Sequence, residues 1–179
     1  MNPKEIRETI EVLLFASDTP LTLNNMRPFV DGVPSEDLTA AIQDLNDEYH
    51  KSGRSFEIKR LAGGYQLVTR VEFSDLVRTF QHHRLSSRLS PAALETLAIV
   101  AYRQPITRLA IEDIRGVDVS GVLHTLLERR VIRITGRDKG LGRPLLYSTT
   151  DEFLRYFGLN DLSDLPDKKE IMELLHQRS

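Results

Sequence analysis

The side chains of this 179-residue chain that could do chemistry are five histidines and a glycine-rich run, with no cysteine beside them. Their spacing argues against catalysis. His82 and His83 are adjacent, so on a helix their rings do not share a face. With no thiolate available, a metal held there would need carboxylates from distant segments. His124 falls on the polar side of a helical pattern and reads as solvated. The run Lys139-Gly140-Leu141-Gly142-Arg143-Pro144 is rich in glycine. It lacks the Gly-Lys-Ser/Thr of a phosphate-binding loop and lies between two β-prone runs instead of opening a helix. No GxSxG, HExxH or GxGxxG pattern is present. The sequence therefore predicts a protein that is not an enzyme, with no catalytic residues, no metal and no cofactor.

Charge is the next resource, and it is unevenly placed. The formal net charge is −2. Residues 1–84 hold 10 Lys and Arg against 13 Asp and Glu; residues 85–149 hold 10 against 6; residues 150–179 hold 4 against 7. The basic residues gather around the second glycine-rich turn as Arg129, Arg130, Arg133, Arg137, Lys139 and Arg143. Of these, Arg130, Arg133 and Lys139 are candidates for weak phosphate contact, which would be salt-dependent and non-specific. A chain that binds nucleic acid by general electrostatics is usually clearly basic, and this one is not.

The elements that position these residues follow from periodicity and caps. Ser90 before Pro91 marks a helix start, a hydroxyl for free N–H groups and then a proline where no N–H is missed. Leu94, Leu97, Ala98 and Ala101 give that helix one apolar face. It must stop near Gln104, because Pro105 disfavours helical geometry in the residue before it. A short helix fits 107–114, ended by Gly116. A third fits 119–129, with Asp118 or Ser120 as cap. Two β-prone runs follow at 131–135 and 144–148. Three short helices and a two-stranded hairpin make a winged helix, a variant of the helix-turn-helix.

The same order stands earlier in the chain. Helical patterns cover 3–17, 21–30 and a stretch from Ser35 to near Gly53. Glu36 and Asp37 fall in the first turn of the last of these, where the helix dipole favours acids. Runs at 56–60 and 65–69, joined through Gly63-Gly64, read as a hairpin. Glu11 with Pro20-Leu21-Thr22 echoes Glu95 with Pro105-Ile106-Thr107, so the chain reads as a duplication with a period of roughly 80 residues. The expected fold class is mainly α with small β-hairpins, as two tandem winged-helix domains. Residues 1–84 form the first with a connecting helix over 72–83, residues 85–160 form the second, and 161–179 are a tail, helical or mobile. The hinge is expected at 85–90.

A DNA-reading helix would need Arg, Lys, Asn or Gln toward the major groove. The later helix of the second unit offers Ser120, Gly121, His124, Thr125 and Glu128. That of the first carries Glu36, Asp37, Asp44, Asp47 and Glu48 against Lys51, and would repel phosphate. A winged-helix transcription regulator is therefore the alternative, not the leading reading.

The run LSPAALETLAIVAYRQPITRLAIEDIRGVD, then LLERRVI, then GRPLLYSTTDEFLRYFGLNDLSDLP, closely resembles the segregation and condensation protein B family. The match is dense over 89–166 and looser over 4–69. AYRQPIT together with LYSTTxxFLxxFGL separates it from an ordinary winged-helix regulator. One departure is visible: the family often has a proline in the wing before GRP, where Leu141-Gly142 stands here. The resemblance implies tandem winged helices and a homodimer formed mainly through the N-terminal domains. It implies an accessory subunit of the bacterial condensin-like complex, without catalysis of its own. That subunit binds the kleisin, which closes the ring on the chromosome-segregation ATPase, and supports chromosome condensation and partition in the cell cycle and cell division. The place implied is the cytoplasm, on the nucleoid. No run approaches the roughly 20 apolar residues of a membrane span. The charged N-terminus shows no signal-peptide segment.

Kleisin segments would need an apolar groove with a polar rim. Candidates are Leu141, Leu145 and Tyr147 on or beside the wing, and Phe153, Tyr156 and Phe157 on the helix after it. Arg137 and Arg143 are the expected rim.

Overall fold

The computed structural model describes residues 1–82, 89–167 and 169–171. The chain divides into two compact units, Met1–Ser86 and Ser87–Ser179. The expected hinge at 85–90, His83 and the end of the tail lie mostly or wholly outside the described residues.

In the first unit α1 spans Pro3–Ala16 and opens with a reciprocal cap: the Asn2 side chain accepts from the Glu5 N–H and the Glu5 carboxylate accepts from the Asn2 N–H. Thr22 and Asn25 cap α2 (Leu23–Met26) in the same way, and a single 3₁₀ turn, Arg27–Phe29, follows. The third helix, α3, is Ser35–Lys51. Its buried side is Leu38, Ala41, Ile42, Leu45 and Tyr49, packed on Ile10 and Leu14 of α1 and on Met26 and Val30. Gly53, at φ 65°, takes the left-handed conformation that ends the helix.

Strands β1 (Phe56–Leu61) and β2 (Gly64–Thr69) form the antiparallel hairpin. Asn46 of α3 holds it in place: its side-chain amide donates to the Ile58 carbonyl at 2.8 Å and its oxygen accepts from the Ile58 N–H at 2.7 Å. The turn is shifted by one residue from the Gly63-Gly64 expectation. Ala62 (φ 47°) and Gly63 (φ 74°) make the turn, and Gly64 is the first residue of β2. Leu21 pairs with Tyr65 across this corner and brings its backbone against Gly64, which leaves no room for a side chain there. A Cβ on Gly64 would lie 2.9 Å from the Leu21 carbonyl group. A 3₁₀ turn (Val71–Phe73) then leads into α4 (Ser74–His82), where the sequence predicted one continuous helix over 72–83.

The second unit repeats the order. Helix α5 (Pro91–Arg103) has its first N–H groups capped by the Ser90 hydroxyl, and α6 (Arg108–Arg115) is capped by Thr107 and ended by Gly116 at φ 72°. The helix α7 (Ser120–Glu128) has Val119 at its cap position, with no side-chain cap bond. Neither Asp118 nor Ser120, the two expected caps, holds that position: Ser120 is the first residue of α7, and Asp118 accepts from the Ser120 N–H and hydroxyl. Those bonds, the side-chain one foremost, hold its carboxyl below the usual carboxylate range. Strands β4 (Ile132–Arg137) and β5 (Leu145–Thr149) are the wing, and α8 (Asp151–Phe157) follows, ended by Gly158 at φ 70°.

A third strand, β3 (Ile106–Thr107), was not foreseen. It pairs Ile106 with Tyr147, so the sheet order is β3-β5-β4. It is the counterpart of the Leu21–Tyr65 bridge in the first unit. In both units an apolar residue just after a proline pairs with a tyrosine of the hairpin, and the next threonine caps a helix. The Gln104 side chain adds a second tie, accepting from the buried Thr149 through its N–H at 2.7 Å and its hydroxyl at 3.0 Å. The core gathers Leu97, Val100, Ile111, Leu123, Leu126, Ile132, Tyr147 and Phe153.

Candidate partner-binding surfaces

Among the described residues no group of His, Asp or Glu is arranged to hold a metal, and no helix is long and apolar enough to cross a membrane. What the chain offers instead is exposed apolar and charged surface, and this lies in different places on the two units.

The eight residues proposed for a partner separate into groups. Tyr147 is 8% exposed and Phe153 2%; both are core. Alternation along β5 explains the tyrosine: Leu145, Tyr147 and Thr149 face inward, and only the edge of Tyr147 lines a groove of about 280 Å³ with Leu123, His124 and Leu127 of α7. Phe153 is the first large residue of α8, and the chain turns in at Thr150 so that it drops into the core. Tyr156 and Phe157 are both 44% exposed. Phe157 packs on Phe153 with ring centroids 4.9 Å apart, and Tyr156 meets Phe157 edge to face at 5.1 Å. The three rings run from the core to the surface.

Leu141 stands at the wing tip, fully exposed. Residues 145–149 separate the tip from α8, and at about 3.3 Å per residue the two lie at opposite ends of β5. The six apolar candidates therefore do not form one groove.

Arg137 and Arg143 meet, but not as two rim charges. The pairing of β4 with β5 shifts between Ile134 and Gly136, a bulge at Thr135. The shift sets Arg137 opposite Leu145, and its guanidinium donates to the Arg143 carbonyl at 3.1 Å. Arg137 thus closes the wing. Arg133, before the bulge, stands opposite Ser148 on the outward face. Arg130, Arg133, Lys139 and Arg143 have no acidic partner among the described residues.

The exposed side of α7 does not suit base reading. The Ser120 hydroxyl accepts from Arg108 and donates to Asp118, Thr125 donates to the Gly121 carbonyl, and His124 lies 3.5 Å from Glu128. Its polar groups are spent on one another or are acidic.

The first unit carries a surface that the sequence reading missed. Val12 is 64% exposed and Phe15 81%, on the side of α1 away from the stripe of Ile6, Ile10, Leu13 and Leu14. With Ala16, Phe56, Leu67 and Val68 they line a groove of about 490 Å³. Glu11 at its rim accepts from the Tyr49 hydroxyl at 2.7 Å. Burial and that acidic partner raise the pKa of Tyr49 far above the usual tyrosine range. The signal was available in the sequence, since Val12 and Phe15 lie three apart and form a second apolar stripe on a helix that needs only one.

A family model for the segregation and condensation complex subunit ScpB matches residues 8–168. A segregation and condensation protein B of Syntrophotalea carbinolica is 47% identical over 174 residues, which is 97% of this chain and 87% of that protein. One from Symbiobacterium thermophilum is 48% identical over 157 residues, 88% of this chain and 71% of that protein. The crystal structure of ScpB from Mycobacterium tuberculosis is similar at 33% identity, covering 89% of this chain and 98% of that one, with a TM-score of 0.43.

Proposed function

The chain belongs to the segregation and condensation complex subunit ScpB family, and from that premise we propose that it is a non-enzymatic accessory subunit of a condensin-like complex that binds a kleisin and dimerises. The observation that carries the reading is the family match over nearly the whole of both units. The fold is compatible with it: two winged-helix units whose would-be recognition helices are acidic or self-paired. The wider role follows from the family, a contribution to chromosome condensation and segregation beside the nucleoid, with the ATPase reached through the kleisin.

Tyr156 and Phe157 are the proposed kleisin anchors. Half-exposed aromatics seated on a core ring keep their geometry without a partner, so little ordering entropy is lost on binding. A kleisin helix laying two or three apolar side chains on them is the expected mode. Tyr156→Ala should weaken kleisin binding by about 2 kcal/mol, roughly 30-fold. Calorimetry with a co-purifying kleisin measures this, and circular dichroism checks the fold. Unchanged affinity in a folded variant moves the site off α8.

The dimer contact is proposed at the α1 groove of the first unit. A second copy of Val12 and Phe15 would cover the exposed apolar stripe that each copy presents. Phe15→Glu places a charge in that contact, and burial of an unpaired carboxylate costs several kcal/mol. Sedimentation of the full chain at tens of micromolar should show a wild-type dimer and a monomeric variant. A variant that stays dimeric, or a wild type that is monomeric, rejects this contact.

A further inference from the structure

The outward face of the second wing carries cations that neither proposed protein contact employs. Residues 129–150 hold six Lys and Arg and one acid, Asp138, in a chain of net charge −2. Asp138 is itself engaged, since one of its oxygens accepts from the Lys139 N–H at 2.7 Å. The bulge at Thr135 sorts the arginines. It turns Arg137 toward the Arg143 carbonyl, and it leaves Arg133 outward beside the Thr135 and Ser148 hydroxyls, which lie 3.3 Å apart. Lys139 and Arg143 flank the exposed tip at Leu141.

We infer that this wing binds the phosphate backbone of duplex DNA, without reading sequence. The charge pattern favours DNA over an acidic protein segment. Six cations against one acid over residues 129–150 suit a polymer with regularly spaced charges. Ile134, 46% exposed, and the fully exposed Leu141 lie among them, so an apolar protein segment is the competing occupant. The first hairpin is the internal contrast. Its strands carry Lys59 and Arg60 against Glu57, and Arg70 beside it is paired with Glu72 at 2.7 Å.

The test is fluorescence anisotropy of the full chain with a labelled duplex of about 40 base pairs of scrambled sequence. With three phosphates neutralised, affinity should fall about 40-fold between roughly 50 and 200 mM salt. Combined R133Q, K139Q and R143Q should abolish that binding, or reduce the salt slope by about one for each cation lost. K59Q with R60Q on the first hairpin should change little. R133K with R143K, which keeps the charge, should retain binding and shows that the wing still folds. Kleisin binding is measured on the same proteins and should not change. No binding at about 50 mM salt, or binding that the triple variant leaves intact, overturns the inference. Loss of kleisin affinity in the triple variant also overturns it and gives the wing to the protein partner.

Discussion

Phe153→Ala is expected to destabilise the second unit by about 3–5 kcal/mol, the usual cost of emptying a buried aromatic site. At 2% exposure its ring lies in the core with Leu97, Leu126 and Ile132. The Phe157 ring rests on it at 4.9 Å, so its loss also loosens the seat of the proposed kleisin anchors. For a unit of this size each kcal/mol moves the melting midpoint by about 4–8 °C, so the drop should exceed about 12 °C. Calorimetry should resolve it as a shift of one transition, with the first unit's transition in place. A drop under about 4 °C would contradict the burial. Kleisin affinity should fall in this variant although Phe153 touches no partner, whereas Tyr156→Ala should lower affinity without lowering the midpoint.

The second large effect belongs to the smallest side chain. Gly64→Ala puts a methyl group 2.9 Å from the backbone of Leu21 and 3.0 Å from that of Pro20. Neither is a flexible side chain that can swing aside. The Leu21–Tyr65 pair must open, or the hairpin must move, at a cost of about 1–3 kcal/mol. Gly136→Ala is the control, because nothing lies within 4 Å of a Cβ there and the backbone is not left-handed. Denaturant melts of the two variants should differ by at least about 1 kcal/mol. Equal melts would mean that the corner is looser than described.

Much of this architecture was legible because it is written in local chemistry. Ser90 caps the helix it was read to cap, and Gly116 ends α6 where it was expected. What escaped was set by contacts between distant residues. A two-residue strand has no periodicity to read, so β3 was invisible until Tyr147 was seen opposite Ile106. The bulge at Thr135 adds no residue type of its own, yet it decides that Arg137 closes the wing while Arg133 faces out. The partner surface was the least legible. Spacing put Phe153, Tyr156 and Phe157 on one side of α8, but spacing cannot say how deep a seven-residue helix sits. In the first unit the search for one core stripe on α1 hid the second, exposed one at Val12 and Phe15.

The proline-corner pairings carry a kinetic consequence. Leu21 to Tyr65 and Ile106 to Tyr147 each span about forty residues, and each lies within one unit. The first unit thus has every strand partner it needs once Thr69 has left the ribosome, before the second is complete. Its rate-limiting search is the closure of one loop of that length, which costs chain entropy before the tyrosine contact rewards it. Synthesis at about 5–20 residues per second gives it several seconds alone. Nascent chains should therefore mature unit by unit, with the second hairpin reaching a first domain that is already closed to strand exchange.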